Sequence, residues 1–158
     1  MAALKDIVYF MLDKYPDKDK LFNARITKMV YLVDWYSANV YKKQVSEIEW
    51  FFNNFGPYVT DVIEMAKENH DTFSIKEVES YYGDTKRVIN IISSYSPNLS
   101  EEEKLSIIKV IDITKNKTWD QFITLVYSTY PIVVSSRYSK LNLLSLAEEY
   151  QAKKRERK

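Results

Sequence analysis

The chain has 158 residues, 46% hydrophobic and 28% charged, with a formal net charge of +1, the profile of one globular domain long enough to bury a core. Two glycines, one histidine and no cysteine exclude a Gly-rich phosphate loop, a dinucleotide fingerprint, a nucleophile elbow, a disulfide framework, a thiol nucleophile and a multi-histidine metal site. The excess lies in aromatics, with thirteen tyrosines, seven phenylalanines and three tryptophans.

Leu4, Ile7, Val8, Met11 and Leu12 recur at helical spacing, which predicts a helix over 3–15 that stops at Tyr15-Pro16. Asp17 and Asp19 are the capping candidates for a second helix from about 21 to 41. Phe22, Ile26, Met29, Val30, Val33 and Val40 mark one side of it, and Tyr31, Leu32, Trp35 and Tyr36 widen the apolar surface over most of the circumference. A helix that apolar is expected at the centre of the fold. Residues 46–55 alternate, with Ile48, Trp50 and Phe52 opposing Glu47 and Glu49, and read as a strand. Gly56 then turns the chain and Pro57 suits the first position of a helix whose face is Tyr58, Val62, Met65 and Ala66.

Residues 72–80 and 85–92 predict a hairpin, with Gly83-Asp84 as a two-residue turn. Phe73 and Ile75 are out of phase with Val78, a mismatch that a bulge would reconcile. Ser100-x-x-Glu103 and Thr118-x-x-Gln121 are capping boxes, opening helices at about 101–115 and 119–128. An irregular stretch over 130–140 precedes a last helix at about 141–153. The expected fold is α+β, a mainly helical single domain over 1–152 with a small antiparallel sheet, one strand plus a hairpin, packed on the central helix. Residues 153–158 form a basic C-terminal tail.

The first apolar run, Ile7 to Leu12, is too short for a signal peptide and no other run approaches a membrane span, so a cytoplasmic protein with no membrane partner is expected. The tail carries five positive charges and one negative, leaving the body at −3. Nucleic-acid binding through that tail is disfavoured, because no aromatic or amide side chain is interleaved with the charges. The tail reads instead as the solvated end of a helix.

His70 lies between Glu68 and Asp71, a polar connection rather than a metal or acid–base site. Glu47 and Glu49 would stand about 7 Å apart on one strand face, but the alternation makes them a solvated face. Glu101, Glu102 and Glu103 suit the first turn of a helix. No catalytic residue, metal or cofactor is assigned, and the chain does not read as an enzyme. Trp35, Trp50, Phe52, Phe55 and Trp119 are expected in the core, whereas the tyrosine excess suits a protein-binding surface.

Lys28-x-x-Tyr31-Leu32-x-Asp34, followed some 20 residues later by an aromatic strand ending in Gly56-Pro57-x-Val59, resembles the Panacea domain, the SocA-like antitoxin family. The order of elements extends the likeness from about residue 5 to 128. The resemblance implies an antitoxin of a bacterial or phage-borne toxin–antitoxin pair that neutralises a cognate toxin by direct binding; some relatives present the toxin to a protease as adaptors. The alternatives are a phage or host regulatory protein acting on another host factor and, less favoured, a nucleic-acid-binding regulator. Residues 130–141 match no part of the pattern and are assigned to a partner-specific role. Within the motif, Lys28, Leu32, Asp34, Gly56, Pro57 and Val59 are expected to be structural, with Gly56 and Pro57 fixing the strand-to-helix angle. A buried Asp34 needs a partner, in Lys28, Arg25 or a backbone N–H. Tyr31, Trp35, Tyr36 and Tyr58 are the expected partner-binding residues. Oligomeric state is left open.

Overall fold

The computed structural model describes residues 1–79 and 83–157. The first helix, α1 (Leu4–Lys14), buries the predicted stripe and stops where Pro16 denies the next turn a donor. Asp17 then caps a single 3-10 turn, Lys18–Lys20, accepting from the Asp19 N–H, and does not cap the long helix. That helix, α2 (Asn23–Val40), begins later than predicted and without a side-chain cap. The reason is tertiary: Leu21 is buried and its carbonyl accepts from the Ile89 N–H, while Phe22 bridges to Val88 and is extended, so neither residue joins the helix.

As its apolar circumference predicts, α2 is central, packed by α1, by α3 (Asp61–Glu68), α4 (Glu101–Thr114) and α7 (Leu143–Glu156), and by β4 (Thr85–Ile91). Ile48, Trp50 and Phe52 turn inward and Glu47 and Glu49 outward, but the strand β1 is only Trp50–Asn53. Residues before it are drawn out of the ladder: the Val45 and Ser46 N–H groups go to Asp34 and the Ile48 N–H goes to Ser46 Oγ.

The Gly56-Pro57 corner is a correction. After the turn at Asn54-Phe55 the chain doubles back as β2 (Gly56–Pro57), pairing Asn53 with Gly56 and Phe52 with Pro57. Gly56 takes φ +97, a left-handed conformation, and Pro57 sits on an outer strand. Helix α3 starts only at Asp61, so Pro57 does not open it.

The stretch after Tyr130 is also more regular than expected. It forms a short helix, α6 (Tyr130–Val134), and a strand, β5 (Ser139–Leu141), which pairs with the other edge of β1 and completes a three-stranded antiparallel sheet ordered β2-β1-β5. Tyr138, a non-glycine at φ +67, makes the turn into β5.

A separate two-stranded sheet pairs β3 (Phe73–Glu79) with β4. Its register runs unbroken from Phe73–Ile91 to Glu79–Thr85, with no bulge. Val78 is out of phase because the outer half of the hairpin lies in solvent, where no face has to be apolar. The last described pair is Glu79–Thr85, and the turn expected at Gly83-Asp84 borders residues 80–82, which lie outside the described residues.

Both capping boxes form, at α4 and at α5 (Trp119–Ser128). Asn142 caps α7, which continues to Glu156, so Lys153, Lys154 and Arg155 occupy the last turn and meet the negative end of the helix. The whole is an α+β, mainly helical domain. Trp35, Trp50 and Phe52 are buried as expected; Phe55, at the hairpin tip, is 78% exposed and Trp119 is 38% exposed, so neither belongs to the core.

Candidate functional site

Asp34 is fully buried, and every hydrogen-bonding neighbour found for it donates. The Val45 and Ser46 N–H groups reach Oδ1 at 2.9 and 2.8 Å; the Trp50 indole N–H (2.8 Å), the Ser46 hydroxyl and the Gln44 amide (3.4 Å) reach Oδ2. Burial pushes the carboxyl up to about 6 against the downward pull of the bonds from Ser46, Trp50 and Val45. Backbone N–H groups are thus among its partners, as one of the sequence options had it, and Lys28 and Arg25 are not. The arrangement fastens residues 44–50 to α2 and aims Trp50 into the core, where the edge of its ring meets Tyr31 at 5.5 Å.

Arg25, which the sequence reading passed over as a site residue, is the second buried polar knot. Its guanidinium donates to Tyr15 Oη (3.2 Å) and to the carbonyls of Thr114 (3.0 Å) and Lys117 (3.2 Å), and lies 4.5 Å from the Phe122 ring centroid. It closes the C-terminal end of α4, where carbonyls lack helical partners. A cation inside an otherwise apolar helix is the signal that could have found it.

The four expected contact residues separate. Tyr31 is fully buried, bonded through its hydroxyl to Thr129 Oγ1 at 2.8 Å, with its own ionisation pushed strongly up by burial. It presents nothing to a partner, because α2 is covered on that side too. Trp35 and Tyr36 line a groove of about 710 Å³ between α2, α4 and the last three helices. Stacked rings make one wall: Tyr150 lies 5.7 Å from Trp35 and 5.1 Å from Tyr130, centroid to centroid. Val40, Ile113 and Val133 supply exposed apolar side chains, Val133 at 66%, and Lys154 and Arg157 bring positive charge. Leu32 lines the same groove, whereas Val59 packs on the core.

Tyr58 lies elsewhere, in a pocket of about 470 Å³ between α2, the β1–β2 hairpin and α5 that it shares with Lys28, Phe55 and Tyr127. Asn23 Nδ2 donates to its hydroxyl at 3.2 Å. Gly56 borders this pocket from behind; a Cβ placed on it would stand 3.5 Å from the Tyr127 ring.

The residues weighed for acid–base or metal chemistry lie apart from these two cavities. His70, Glu47 and Glu49 are exposed, and the two glutamates share no strand face since β1 starts beyond them. Among the described residues no group of three or more His, Cys, Asp or Glu side chains could hold a metal ion, and no helix is long and apolar enough to cross a membrane.

Comparison with known proteins gives one match. The family model described as antitoxin SocA-like, Panacea domain, covers residues 26–131, from the first turns of α2 to the start of α6. No curated protein and no solved structure matches the chain.

Proposed function

The chain belongs to the SocA-like antitoxin, Panacea domain family, and from that membership we propose that it is the antitoxin of a bacterial or phage-borne pair and neutralises its cognate toxin by direct binding. The match over 26–131 is the observation that carries the reading. The groove beside Trp35 and Tyr36 supports a binding role, because it combines exposed aliphatic side chains with stacked aromatics and a positive rim, the composition of a protein-contact surface. A smaller part of its wall, including Val133, Tyr150 and Lys154, comes from outside the matched span. That is where a domain shared by partners of many kinds would carry what suits it to one of them.

The test is co-expression with the product of the neighbouring gene, scored by rescue of growth from any toxicity of that product and by a co-purifying complex. Tyr36→Ala and Val133→Asp, both at positions that reach the surface, should each cost about 2 kcal/mol or more of binding and abolish rescue with the melting temperature unchanged. Neither rescue nor complex with the unaltered chain would overturn the antitoxin reading; full rescue by both variants would overturn the groove.

A further inference from the structure

Two cations are buried on α2, and the fold treats them differently. Arg25 has three oxygen acceptors. Lys28, one turn further on, is 2% exposed, and the Tyr58 ring, 5.6 Å from its ammonium, is the one partner found for it among the described residues. Among the described residues Arg25 Nε is the fully enclosed nitrogen without a partner, whereas the Lys28 ammonium, nearly buried and with no anion or acceptor found beside it, bears a desolvation cost that a bound anion would offset. Lys28 lines the pocket beneath the hairpin, whose other walls are Asn53, Phe55, Tyr58, Trp119 and Tyr127. None of the lining residues carries a carboxylate.

We propose that this pocket seats a carboxylate of the toxin, carried beside an apolar or aromatic group, with Lys28 as its ion-pair partner. The proposal rests on the antitoxin reading and adds to it the chemistry of one anchor. A single ammonium suits a singly charged carboxylate. A phosphate carries more charge and more acceptor oxygens than one lysine satisfies. Asn53 accepts the Asn54 N–H through its side-chain oxygen and keeps its NH2 group as a second donor, while Phe55 and Trp119, both partly in solvent, would close over the apolar companion. Burial lowers the Lys28 ammonium to about 8, so it is charged at neutral pH and loses its proton in mild alkali unless an anion holds it. Tyr58 and Tyr127 are the other titratable groups facing it from the hairpin and α5.

The experiment has two arms. Calorimetric titration of the toxin into the unaltered chain and into Lys28→Met should show affinity falling about thirty-fold or more in the variant, the cost of removing one partner of a desolvated charge pair. Affinity of the unaltered chain should also weaken as pH rises through about 8, with no such trend in Lys28→Met. In the second arm, the Lys28 ε-methylene NMR signal of the free protein is followed while phenylacetate, phenylacetamide or inorganic phosphate is added. A saturable shift with phenylacetate alone is expected. Equal toxin affinity in Lys28→Met, or a response to phosphate or the amide matching that to phenylacetate, overturns the pocket. If the unaltered chain binds no toxin, the antitoxin reading fails, and absence of a phenylacetate shift then rejects the anion site separately.

Discussion

At Lys28 the folded protein bears an electrostatic cost that titration can expose. The ammonium loses its proton near pH 8 in the fold and near 10.5 when the chain is unfolded. Between those values the unfolded state binds the extra proton, so stability rises with pH across that window, and below it the folded state carries the whole penalty. Lys28→Met should therefore melt above the unaltered protein at pH 7, by an amount on the order of 3 kcal/mol in stability. The two melting curves should converge toward pH 10.5, and circular-dichroism melts at the two ends check the sign. Asp34 behaves in the opposite sense under mutation, because its partners are already in place. Asp34→Asn turns an acceptor into an NH2 group aimed at donors, and urea unfolding should show a loss of about 3 kcal/mol or more. That Asp34 needed partners was legible from its apolar neighbours in the sequence. That Ser46 and the Trp50 indole would supply them was not, since the bonds join residues brought together only by the path of the loop.

Elements whose stability is local were the ones readable from sequence. The stripe of α1 and the capping boxes of α4 and α5 lie within a few residues of the structure they predict. Ser100→Ala and Thr118→Ala should each cost about 1 kcal/mol, measured by denaturant titration. Elements fixed by distant contacts were misread. Phe22 is held extended by β4, Val45 and Ser46 give their N–H groups to Asp34 and Ile48 gives its own to Ser46, and β5 is a three-residue strand that pairs with the free edge of β1. The Gly-Pro corner shows the same limit, for the sequence gives a turn there but not which way the chain leaves it. The two glycines offer a direct comparison. Both sit at positive φ, but a Cβ at Gly56 meets Tyr127 whereas at Gly83 nothing lies within 4 Å. Gly56→Val should thus lose about 2 kcal/mol or more through backbone strain and disturb the Lys28 pocket through Tyr127. Gly83→Ala should lose about 1 kcal/mol and leave phenylacetate binding unchanged.

On the scale of the whole molecule, the aromatic excess is divided between core and surface in a way composition alone could not apportion. Tyr31 went inside; Trp35, Tyr36 and Tyr150 stand along a groove; Tyr58 and Tyr127 enclose Lys28. The family pattern was visible in the sequence because its residues fall in two short runs, but the groove was not, since its walls come from α2, α4 and three helices beyond residue 118. A toxin that covers this groove binds the folded state alone. At a free concentration one hundred times its dissociation constant it should stabilise the protein by about 2.7 kcal/mol. A rise in melting temperature on toxin addition, lost in Val133→Asp, is the expected outcome.

The pairing of β5 with β1 sets a timetable. Trp50 finds its neighbour Leu141 ninety-one residues downstream, and α7, which walls the groove, follows only after that. A ribosome adding about 5 to 20 residues per second has to deliver the chain as far as Leu141 before the central strand is flanked on both sides. The earlier helices can form while the chain emerges, but the surface that would meet a toxin does not exist until the last of them has docked. Were the chain to act as the proposed antitoxin, its groove would be absent until α7 had been made and docked, and protection of a cell would depend on molecules folded before the toxin is released.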